Sequence, residues 1–141
     1  MEWLADLHGS LRWVVALAFV WVIVGGLVVI ITRSWFVWVR WALRSAMILV
    51  TLQFVLGLVL LLSNSIASGW DMRALRLQYE HAITMLVALA IVHLLPRVAR
   101  TPDHATRGFR ILTLGLIAIA LIIVGVIRLR GGHYWVPFSA G

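Results

Sequence analysis

The stretch Tyr79–Pro96, YEHAITMLVALAIVHLLP, decides the fold. It is apolar, of membrane-spanning length, and yet carries two histidines, His81 and His93. Ionisable groups inside a bilayer are costly, so each needs a partner and points to a functional site. On a helix the two lie about 18 Å apart along the axis and about 120° apart around it. One arc then collects His81, Met85, Val92, Leu89, Ala82 and His93, with Ala88 at its edge. The opposite arc collects Ile83, Val87, Ile91 and Leu94. In a membrane bundle small and polar residues face other helices and large aliphatics face lipid. Both histidines are therefore expected to point into the protein, at two depths.

Composition extends this reading to the whole chain. Of its 141 residues 63% are hydrophobic and 12% charged, with a mean hydropathy of +1.04. A water-soluble domain of this size cannot bury so much apolar surface, so the lipid bilayer is the solvent. Cysteine is absent, which excludes disulfides, thiolate metal sites, iron–sulfur ligation and covalent haem attachment.

Three further apolar runs flank the opening stretch. The four expected spans are residues 11–31, 42–63, 79–96 and 109–127, in a single membrane domain over 1–141. Gly25 and Gly26 in the first span, and Gly115 and Gly125 in the fourth, suit close helix approach. The second span has one polar residue in its interior, Gln53, on the same face as Gly57. Between the first two spans, TRSWFVWVRW mixes arginines with Trp35, Trp38 and Trp41, a pattern expected of a surface-lying connection. Asp71 is a candidate N-cap for an extension of the third helix, on which Arg76 and Glu80 would pair at i, i+4. Tyr134 and Trp135 form another interfacial pair. No basic region precedes the first apolar run, so no cleaved signal peptide is expected.

The fold expected is an all-α integral membrane protein, an up-down four-transmembrane-helix bundle. The net charge of +7 comes entirely from arginines at the ends of apolar runs, which fits membrane anchoring and not nucleic acid. The first-to-second and third-to-fourth connections hold Arg33, Arg40, Arg44, Arg97, Arg100, Arg107 and Arg110, with Asp103 as their one acid. The other end holds Arg12, Arg73, Arg76, Arg128 and Arg130 with Glu2, Asp6, Asp71 and Glu80. The positive-inside rule then places both termini on the extracytoplasmic side.

That topology brings His8, just before the first span, to the same end as His81. The first and third helices of such a bundle are commonly diagonal across the core. A planar ligand between them would take one imidazole from each, as a b-type haem does. Arg12, Arg73 and Arg76 are near enough in sequence to meet its propionates, and Gly57 would leave room for the ring. His93 is a weaker candidate for a second site, because no histidine matches its depth; a hydrogen bond to Gln53 is the simpler expectation. His8, His81 and Met85 would also make a soft copper site, though no Met-rich or His-rich tract accompanies them. A quinone site would draw on the same histidine, arginine and small residues. Nothing in the chain suits hydrolysis or phosphoryl transfer.

The segments LHGSLRWVV, LQFVLGLVL and EHAITMLVALAIVH, in that order, resemble a family of small four-span bacterial membrane proteins labelled cytochrome b or cytochrome b-like. The resemblance implies a haem-b-binding four-helix protein of the bacterial inner (cytoplasmic) membrane, with His8, His81 and His93 as the matching histidines. One haem on His8 and His81 follows from it, for electron transfer with a quinone or a redox protein as partner. A second haem at His93 would need a non-histidine sixth ligand. The competing expectation is a haem-free accessory subunit of a larger respiratory or photosynthetic complex. Either is an electron carrier or accessory subunit in preference to a stand-alone enzyme. A transporter is least favoured, since the interior offers one glutamine and no paired ionisable groups.

Overall fold

A computed structural model describes residues 2–130; Tyr134 and Trp135 lie outside the described residues. Four helices follow one another: α1 (Glu2–Thr32), α2 (Val37–Ala67), α3 (Arg76–Val98) and α4 (His104–Arg130). All four are long and apolar enough to cross a membrane. The described residues contain no strand.

Each helix outruns its apolar run at both ends, because polar residues at a helix end keep the backbone bonded while their side chains reach water. The largest difference falls at TRSWFVWVRW. Only Arg33–Phe36 connects α1 to α2, and Trp38 and Trp41 belong to α2 itself. No Gly or Pro interrupts the stretch, and Val39 is fully buried where it meets Gly25 of α1: a Cβ on that glycine would stand 3.0 Å from the valine methyl. Packing against α1 therefore extends α2 by more than a turn. Likewise α3 continues two residues past Pro96 to Val98. Asp71 caps a single turn ahead of α3, its carboxylate accepting from the Arg73 and Ala74 amides. The helix proper begins at Arg76 after the uncapped Leu75.

Neighbours in sequence are neighbours in space, and α4 closes the ring against α1, leaving α1 opposite α3 and α2 opposite α4. The packing is asymmetric along the bundle. The solid core lies toward the end with the two short connections and comprises Val15, Phe19 and Val22 of α1, Leu43 and Ala46 of α2, Val92 and Leu95 of α3, and Ile111 of α4. On α3 the buried residues begin only at Ala88. The other half of the bundle is held by polar contacts at its rim. Ser65 of α2, fully buried, hydrogen-bonds the Tyr79 hydroxyl of α3 at 2.8 Å. Glu80 receives both Arg76, at i, i+4, and Arg128 of α4, which ties α3 to α4.

At the tightly packed end α4 begins with Asp103 as N-cap, its carboxylate accepting the Thr106 amide at 2.7 Å. Hydrogen bonding to Thr106 holds this carboxyl below its ordinary value, assisted by the nearby charges of Arg33 and His104. A group with a lowered folded pKa stabilises the fold above its unfolded value of about 3.9, and that contribution fades as the pH falls through the folded value. Asp103→Ala is thus expected to speed amide exchange in the first turn of α4 at pH 7. The difference from the parent should shrink as the pH falls through the folded value of this carboxyl. Equal exchange at pH 7 would count against the cap.

Candidate functional site: a cavity between the first and third helices

Where the core stops, the four helices line a partly open cavity of about 560 Å³, within the roughly 300–1,000 Å³ of cofactor pockets. Its walls are apolar, with Val15, Val50, Phe54, Leu58, Ile122 and Val126 among them. Into this wall His8 and Arg12 of α1, Gln53 and Gly57 of α2, and His81 and Met85 of α3 are set. The two histidines come from diagonally opposed helices and line one space.

Each histidine is positioned by the helix beside it. A Cβ on Gly57 would stand 2.8 Å from the His8 Cε1. The clearance Gly57 provides is taken up by the imidazole of His8 itself. One turn away on the same face, the Gln53 amide donates to the His8 carbonyl at 2.7 Å. Gln53 is thus spent on α1 and does not meet His93. Its Oε1 is buried in the cavity wall with no hydrogen-bond partner among the described residues. His81 is fixed by α4: its Nδ1 lies 3.0 Å from the Gly125 carbonyl. A carbonyl can only accept, so Nδ1 carries the proton and donates. In the neutral ring Nε2 then holds the lone pair. Gly125 permits this approach, since a Cβ there would come within 3.3 Å of the imidazole and 2.6 Å of the Met85 methyl.

The remaining candidates are dispersed. Arg12 lines the cavity, with its guanidinium carbon 5.5 Å from the Trp13 ring centroid. Arg73 and Arg76 do not line it: Arg73 sits exposed in the turn after Asp71, and Arg76 is held by Glu80 at 2.8 Å. The mouth is polar instead through Glu2, Asn64 and Gln78, the last two joined side chain to side chain. His93 departs furthest from expectation. It is exposed on the outer face of α3, and its Nδ1 is satisfied by the Leu89 carbonyl one turn back. The seam α3 turns inward runs through His81, Met85, Ala88, Val92 and Leu95, at alternating spacings of four and three. His93 follows Val92 and so lies about 100° off that seam.

Gly125 as the acceptor for His81, and Gln53 as a residue of this site, escaped the sequence reading. The first looked like one packing glycine among several. The depth of the second depends on how α1 and α2 are staggered. Comparison with family models, curated proteins and solved structures finds no match.

Proposed function

We propose that this chain is a membrane b-type cytochrome, akin to the cytochrome b-like family its sequence resembles, with one haem b between His8 and His81. The observation that carries the proposal is a pair of histidines from opposed helices lining one apolar cavity, with the His81 tautomer set by the Gly125 carbonyl. A ligating imidazole is usually held in this way, its other nitrogen donating to a carbonyl that fixes ring orientation and raises basicity. The donor set suits the group: two imidazoles, no thiolate or carboxylate among the wall residues at their level, and Arg12 to balance an acidic substituent. When bound, the haem would supply reversible one-electron transfer; the chain would supply its ligands, its largely apolar surroundings and its charge balance.

On this proposal the protein resides in the bacterial inner membrane with the cavity end and both termini extracytoplasmic, as the seven arginines at the opposite end favour. Its partners are the bilayer and a quinone or redox protein reached at the polar mouth. The short connections, Arg33–Phe36 and Ala99–Asp103, favour a second reading beside it: a subunit that meets a larger membrane complex through its helix faces.

The direct test is the haem-to-protein ratio after purification from a host with ample haem supply. A ratio near one supports the proposal, and a well-folded protein with none sinks it. Gly57→Ala probes the His8 side. The new methyl forces the imidazole to move while leaving helix content intact, so haem affinity is expected to fall about 10–100-fold, the usual cost of disturbing what orients a ligand. An unchanged affinity would show that His8 is not a ligand.

A further inference from the structure

The far end of the bundle carries a second, smaller pocket of about 250 Å³, lined by Trp35, Arg40, Leu43, Arg44, Pro96, Ala99 and Arg100. We propose that it binds the phosphate headgroup of an anionic phospholipid. Three arginines from two structural elements line it, Arg40 and Arg44 from α2 and Arg100 from the turn after α3. No carboxylate joins them. Every ion pair among the described residues uses Glu80 at the other end, and Asp103 is occupied by the α4 N-terminus.

Two neighbouring arginines, Arg107 and Arg110, are already committed, and these three are not. Arg107 donates to the Thr101 carbonyl and stacks on Trp35, 4.8 Å from its centroid. Arg110 donates to the Thr101 hydroxyl. Among the described residues the side chains of Arg40, Arg44 and Arg100 make no hydrogen bond or ion pair, and that of Arg44 has only the face of Trp41, at 5.5 Å. Guanidinium groups are matched to phosphate oxygens by their planar fork of donors. The start of α2 has no acidic residue and no side-chain cap, so its dipole adds a favourable field for an anion. Apolar Leu43 and Pro96 complete the lining beside the exposed apolar flank of the bundle, where acyl chains run. A basic pocket between spans at headgroup depth is the form such lipid sites take. The same chemistry would accept a soluble phosphate, but the pocket lies at the membrane interface, where the lipid is the abundant source.

The test is lipid titration of the purified full chain in detergent, read by native mass spectrometry. Phosphatidylglycerol is expected to bind at least tenfold more tightly than phosphatidylcholine. Arg40→Gln with Arg44→Gln should abolish that preference. The control, Arg97→Gln with Arg110→Gln, removes the same charge from the same end outside the pocket and should change it less than twofold. Equal loss from both pairs would overturn the site in favour of general surface charge. Glycerol 3-phosphate binding as tightly as the lipid would overturn the lipid assignment. Should the first pair not fold, equal affinity of the unmodified chain for the two lipids would contradict the proposal by itself.

Discussion

His81→Ala is expected to yield a folded protein that retains no haem through purification, whereas His93→Ala should retain a parental complement. The contrast follows from placement. His81 lines the cavity with its Nδ1 given to the Gly125 carbonyl, and on the proposed function its replacement removes a ligand outright. Disturbing an orienting partner alone costs about 10–100-fold in affinity, so deleting the ligand should cost more than that. His93, exposed and bonded to its own helix, has no route to the same space. Haem content after identical purification, together with helix content by circular dichroism, separates the two outcomes. Equal loss from both variants would refute the single-site assignment.

The second large effect is on stability, at a crossing far from the cavity. Gly26 of α1 and Gly108 of α4 bring two backbones together. A Cβ on Gly108 would lie 2.8 Å from the Gly26 carbonyl oxygen and 2.9 Å from the Ile30 nitrogen, and one on Gly26 would lie 3.0 Å from the Leu112 nitrogen. Backbone atoms cannot rotate aside as a side chain does, so a larger residue must push the helices apart. Gly108→Val is therefore expected to cost at least the upper part of the about 1–3 kcal/mol typical of overpacking. At Gly125 the nearest obstacle is the flexible end of Met85, and Gly125→Ala should cost much less in stability. Thermal melts in one detergent would compare them. If Gly125→Ala proved the more destabilising, the crossing at Gly26 and Gly108 would not be the tighter contact.

These two sites show how far the residues alone could be read. Four apolar runs in a chain of this hydropathy dictate four spans, and the Arg76–Glu80 pair follows from helical spacing alone. Neither needs knowledge of tertiary contacts. The rough depth match of His8 with Gly57 was also legible, from counting residues along each apolar run. The inward face of α3 was not. A wheel drawn from residue type places His93 with the small and polar residues, but it is the alternation of four and three that selects the buried seam. That choice depends on α2 and α4, which a single segment does not contain. Gly108 was missed for a related reason. It precedes the apolar run of α4, so it reads as part of a basic loop until its contact with Gly26 is seen. The role of Gly57 could be named only as clearance, since its beneficiary, the His8 ring, lies on another helix.

The asymmetry of the bundle connects these features to the proposed function. One half is packed to exclusion around Phe19, Leu43, Leu95 and Ile111, which makes it a rigid base. The other half opens just where His8 and His81 project, and its rim is closed by the Glu80 ion pairs and the Ser65–Tyr79 hydrogen bond. A rigid base holding an apolar cavity with two oriented imidazoles is the arrangement a buried redox cofactor needs.

The most direct test is the visible absorption spectrum of the purified chain, expressed with full haem supply and then reduced. On the proposed function, the Soret band and sharp α-band of a low-spin b haem held by two imidazoles are expected. A colourless preparation that is nonetheless folded would contradict it.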